Sequence, residues 1–134
     1  KYVADLEFKF DWNLPPILLL RNEFSQVLLN LIVNAAHAIG DNLPASSSEK
    51  GQIVISTKAV GPNVEVRISD NGPGVAAHLR EHLFEPFVTS KSFGAGLGLA
   101  LVAKLVAGHG GVIDFESEPG RTTFRVLLPI EPAT

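Results

Sequence analysis

Near the amino terminus Leu6, Phe8 and Phe10 alternate with Glu7 and Lys9, the period-2 signature of a half-buried strand. Pro15-Pro16 breaks that pattern, and residues 17–20 read as a short second strand. From Asn22 the period changes. Val27, Leu28, Leu31, Ile32, Ala35 and Ile39 recur at helical spacing, with Asn22 as N-cap, Glu23 in the electropositive first turn and Gly40 as the stop. Residues 41–51, rich in serine, form a loop. Ile53/Ile55 and Val64/Val66/Ile68 then predict two antiparallel strands joined at Gly61-Pro62-Asn63, with Glu65 and Arg67 facing out. A short helix over 76–83, a loop over 84–96 and a helix over 97–107 follow, the last closed by Gly108 and Gly110-Gly111. Ile113/Phe115 and Phe124/Val126/Leu128 make a final hairpin about Glu118-Pro119-Gly120. This order predicts an α+β two-layer sandwich, one mostly antiparallel sheet with helices on one face.

Composition narrows the picture. A chain of 134 residues, 46% hydrophobic, is one domain over 1–134 that needs no disulfide or metal staple. Cysteine is absent, which fits a reducing, cytoplasmic setting. A formal charge of −3 argues against nucleic acid as partner. Apolar runs are interrupted well before the roughly 20 residues of a membrane span, so no direct membrane contact is expected. The opening at Lys1, inside a strand pattern and with no signal peptide, reads as a domain excised from a longer protein.

Three clusters carry candidate chemistry. Asn30 and Asn34 stack on one helical face beside an apolar stripe. Buried amides need partners, and magnesium carried on ATP phosphates would supply one; caps on neighbouring loops would supply another. Asp70-Asn71-Gly72-Pro73-Gly74 ends a strand. It offers a carboxylate able to accept from the exocyclic amine of adenine, with Gly72 and Gly74 letting backbone approach a ligand, though the same string is good turn chemistry. Gly94, Gly96, Leu97 and Gly98 lead into a helix N-terminus, a ready anion site. No strand feeds these glycines and no Walker lysine occurs, so neither the dinucleotide fingerprint nor the P-loop applies. Lys91 and His37 are candidate phosphate contacts, though taken alone each reads as a solvent-facing side chain. None of the four histidines has metal-ligand spacing.

Together these residues resemble the catalytic ATP-binding domain of a sensor histidine kinase, in the superfamily shared with gyrase, heat-shock chaperone and mismatch-repair ATPases. Residues 26–35 resemble its N box, which makes Asn34 the magnesium ligand and sets His37 near the phosphates. The segment 70–74 resembles the first glycine box, whose aspartate reads adenine. Leu83-Phe84-Glu85-Pro86-Phe87 with Thr89 and Lys91 resembles the F box, and 94–99 the second glycine box. The runs 94–104 and 121–126 most resemble nitrogen-regulation kinases of the NtrB type, and Thr123 joins the expected nucleotide set on that likeness. The resemblance implies a Bergerat-type fold, ATP and Mg²⁺ as cofactors, a dimerisation and histidine phosphotransfer domain of the same kinase as substrate, and a response regulator downstream.

Asn30 stands where hydrolysing relatives carry a general-base glutamate. An amide cannot take a proton from water, so phosphoryl transfer rather than hydrolysis is expected, with Asn30 and Asn34 as the catalytic pair. No histidine is followed by an acidic residue as the family's acceptor histidine is; the domain should not phosphorylate itself. Ala38 and Ala95 replace a common tyrosine and threonine, and the 90–94 lid is short. Those departures define the rival reading, a degenerate module that docks without nucleotide.

Overall fold

The computed structural model describes residues 4–10, 17, 19–40, 51–85 and 98–130. Eight elements follow in the order β1 (Ala4–Lys9), α1 (Arg21–Gly40), β2 (Gly51–Val60), β3 (Asn63–Asp70), α2 (Ala77–Arg80), α3 (Gly98–Gly108), β4 (Val112–Glu118) and β5 (Arg121–Pro129). The strands form one sheet in the order β1-β2-β3-β5-β4, with β1 parallel to β2 and every other pair antiparallel. The expected α+β sandwich with a mixed, mostly antiparallel sheet is therefore present.

Strand alternation decides which side chains meet the helices. Ile53, Ile55, Val66, Ile68, Phe124, Val126 and Leu128 point to one face, where they bury against Val27, Leu31, Ala35 and Ile39 of α1 and Leu99, Val102 and Val106 of α3. Phe84, Phe115 and Phe124 add a cluster of tilted and edge-on rings with centroids 5.8 to 6.1 Å apart. The opposite face is polar. Arg125 grips both carboxylate oxygens of Asp114, at 2.8 and 3.1 Å, and Glu65 takes Arg67 Nε at 2.6 Å. Glu65 does face away from the helices, as its sequence position predicts, yet it is only 6% exposed because neighbouring side chains cover it.

Three boundaries differ from the sequence reading, the first being α2, which ends at Arg80 and continues as turn rather than as helix to 83. α1 begins at Arg21, not after an Asn22 cap, and the Leu20 carbonyl accepts its first bond from Phe24 N–H at 2.9 Å. Residues 17, 19 and 20 are not strand, since the Leu20 backbone is engaged at the start of α1. No helix is long and apolar enough to cross a membrane among the described residues.

Candidate functional site

β3 delivers Asp70 to its end, and register fixes the surroundings. Asp70 pairs with Ile53 of β2 and Thr122 of β5, so these three side chains share the helix-covered face. Asp70 is 5% exposed, and its Oδ1 accepts the Gly72 N–H at 2.9 Å. Burial pushes the carboxyl up to about 6, while the Gly72 hydrogen bond pulls in the other direction.

The segment after Asp70 is tied on both sides. Asn71 N–H meets the Gln52 carbonyl at 3.3 Å, and Gln52 N–H donates to Asn71 Oδ1 at 2.8 Å. Val75 N–H donates to Ser117 Oγ at 2.7 Å, and that hydroxyl lies 2.9 Å from Thr122 Oγ1. Two glycines let the segment sit this close. A Cβ on Gly72 would stand 2.9 Å from Asp70 Oδ1 and 3.5 Å from the Ala38 Cβ on α1. Gly74 has φ +93°, and a Cβ there would meet the Glu118 carbonyl oxygen at 2.6 Å.

α1 forms the other wall. Beside its buried seam lie Asn30, Asn34 and Ala38, four residues apart and so in one row along the helix, each half-buried. Asn30 Nδ2 donates to the Gly98 carbonyl at the start of α3, at 3.3 Å, and Asn30 Oδ1 accepts from Gln26 Nε2 at 2.6 Å. One end of the row thus touches the N-terminus of α3, and the other faces Gly72 beside Asp70. Asn34 stands between them. The two ends are eight residues, or about 12 Å, apart.

Residues 20–132 match the family model described as Histidine kinase-, DNA gyrase B-, and HSP90-like ATPase. The chain belongs to this family. Its curated relatives include the sensory histidine kinase/phosphatase NtrB of Rhizobium meliloti (strain 1021), 44% identical over 90% of this chain and 34% of that protein. Another is the C4-dicarboxylate transport sensor protein DctB of the same organism, 46% identical over 81% of this chain and 16% of that protein. The chain thus spans about a third of the length of the NtrB relatives. Among solved structures, the nucleotide-free catalytic domain of histidine kinase ThkA superposes with TM-score 0.79 at 32% identity, covering 96% of this chain and 82% of that one. Full-length ShkA in complex with AMPPNP gives 0.78 at 32%, covering 98% and 26%. Sheet and helices here are those of histidine kinase catalytic domains.

Within this ATPase fold the structure brings Asp70, Gly72 and Gly74 to one end of the α1 row and Asn30 with Gly98 to the other. His37, half-buried, follows Asn34 on the same helix. Lys91, Gly94, Gly96 and Leu97 lie outside the described residues, as does most of the F box. Thr123 is not brought to this group. It pairs with Ser69, its hydroxyl 2.8 Å from the Ser69 hydroxyl, on the face opposite Asp70, because adjacent strand residues point to opposite sides. Thr122 takes the place beside Asp70. Sequence reasoning gave Ser117 no role and held Gln26, one helical turn before Asn30, only as the first residue of the N-box likeness.

Proposed function

We propose that the domain binds ATP with magnesium along the α1 row and donates the γ-phosphoryl group to a histidine on a separate domain. The observation that carries this reading is the row itself: a buried carboxylate and two glycines at one end, amides along the wall and the N-terminus of a helix at the other. That layout suits a ligand polar at its base and anionic at its tail. Asp70 accepts from the adenine amine, the 71–76 segment lines the base, and the start of α3 faces the phosphates.

Among the described residues no three His, Cys, Asp or Glu side chains are grouped to hold a metal. A lone amide oxygen suits magnesium that arrives on phosphate oxygens and keeps its waters, and Asn34 supplies that ligand. When bound, the ion neutralises charge on the transferring group. Asn30 acts by position: with its oxygen taken by Gln26 and its amide on Gly98, it holds α3 against α1. The phosphorus bond to the β–γ bridging oxygen breaks as one to an imidazole nitrogen forms, and ADP leaves with the bond's electrons. The acceptor histidine belongs to the dimerisation domain of the same cytoplasmic kinase. A response-regulator aspartate receives the group next, as the likeness to NtrB supports.

Calorimetric titration with a non-hydrolysable ATP analogue, with and without magnesium, tests this. Magnesium-dependent binding is expected. A folded domain that binds no adenine nucleotide in either condition would leave the docking module in its place, and steady ATP turnover would favour a hydrolytic switch.

A further inference from the structure

His109 follows the last residue of α3 and is half-buried, and its ring meets backbone on both sides. Nδ1 lies 2.8 Å from the Leu105 carbonyl oxygen, and Nε2 lies 3.1 Å from the Leu20 backbone nitrogen. A backbone N–H can only donate, so Nε2 must present its lone pair and the ring proton resides on Nδ1, where the Leu105 carbonyl accepts it. Both backbone partners belong to helix ends. Leu20 N–H is among the donors at the start of α1 that the helix cannot satisfy, and the Leu105 carbonyl lies in the last turn of α3, whose acceptors point outward. One neutral imidazole therefore joins the positive end of α1 to the negative end of α3, its own dipole aligned with both.

The position of this contact gives it a consequence for the site. Leu20 meets His109 and Asn30 meets Gly98, so the helices run antiparallel with two polar ties about 15 Å apart. Between the ties the buried side chains are Val27 on α1 and Leu99, Val102 and Val106 on α3, whose burial supplies a non-directional attraction. The two ties add directional restraints on how far α3 slides along α1. We propose that His109, in its Nδ1–H tautomer, is a positioning residue for the nucleotide site: it holds the register of α3 against α1, and so the place of the α3 N-terminus beside Asn30 and Asn34. This rests on the nucleotide-binding reading above. His109 touches no ligand; it acts through a rigid helix whose far end faces the phosphates.

The first readout needs no ligand. Nitrogen-15 NMR of the histidine rings in the unliganded domain should show His109 protonated at Nδ1 and unprotonated at Nε2. The second is titration with a non-hydrolysable ATP analogue and magnesium. His109→Leu should weaken binding about fivefold, the loss equivalent to one net hydrogen bond, with the domain still folded. His109→Gln, whose Oε1 can accept the Leu20 N–H, should recover to within about twofold of the original affinity. Should His109→Leu unfold, Leu20→Pro removes the donor N–H while leaving the His109 ring in place, and should give the same loss. A ring protonated at Nε2, an unchanged affinity in folded His109→Leu, or a failure of Gln to rescue would each overturn the proposal. Absence of nucleotide binding by the unsubstituted protein would instead defeat the nucleotide reading and the role built on it.

Discussion

In the proposed nucleotide site Asp70 meets two opposed demands. Recognition of an amine wants an acceptor shielded from water, and shielding makes the ionised acceptor costly; here burial lifts its pKa from 3.8 to about 6. An acid whose pKa is raised on folding binds its proton more tightly in the folded state. Its ionisation therefore costs nothing below about pH 4, and the cost grows as pH rises to 6 and stays constant above. From the shift this cost is at most about 3 kcal/mol, less whatever water screens. Asp70→Asn keeps an acceptor for the Gly72 N–H and removes the charge. The unliganded variant should be more stable than the original at pH 7 and equal to it near pH 4, while its affinity for adenine nucleotide falls; denaturant melts at both pH values and a titration measure this. Equal stability at pH 7 would show that the carboxylate is solvated, and unchanged affinity would remove it from the site. At this scale Asp70 was legible because glycines follow it closely. Thr122 was not, since two adjacent threonines differ only in the face they take, and strand register decides that.

The segment linking β3 to α2 shows how much of an element a single glycine governs. Gly74 combines φ +93° with a Cβ position 2.6 Å from the Glu118 carbonyl oxygen and 3.2 Å from Ser117 Oγ. Alanine there must strain the backbone and push the β4–β5 hairpin away, breaking the Val75 to Ser117 hydrogen bond. Gly74→Ala should lower stability by about 2 kcal/mol or more and weaken nucleotide binding together, as urea melts and titration would read. A variant as stable as the original would mean that the segment relaxes freely. The sequence announced this turn, and likewise the hairpin β2–β3, because glycine, proline and asparagine chemistry is local. It announced α1 and α3 through their period. It misplaced the start of α1, because Leu20 carries no capping side chain and the Leu20 N–H is satisfied by His109, 89 residues away. No local pattern contains such a partner.

At the scale of the molecule, the site hangs on the interior of the sheet. Asp70 ends β3 and Thr122 is the second residue of β5, and these two strands are paired on both sides. β1 and β4 are the edges, and packing separates them: Ile113 and Phe115 of β4 join the core, whereas Leu6 and Phe8 of β1 are 49% and 56% exposed although they point to the helix side. The parallel ladder of β1 is also slightly weaker per residue than an antiparallel one. Its pairing with β2 was invisible in the sequence, where alternation marks a strand but not its partner or direction. Local opening free energy follows buried contacts and paired backbone, so amide hydrogen exchange should be slowest in β3 and β5, intermediate in β4 and fastest in β1. Adenine nucleotide should slow exchange in α1 and α3, which line the α1 row, and leave β1 unchanged, because no residue of β1 contributes to the site. Protection in β1 equal to that in β3 would mean that the strand has a cover in solution. A ligand effect centred on β1 would move the site away from Asp70 and Asn34 altogether.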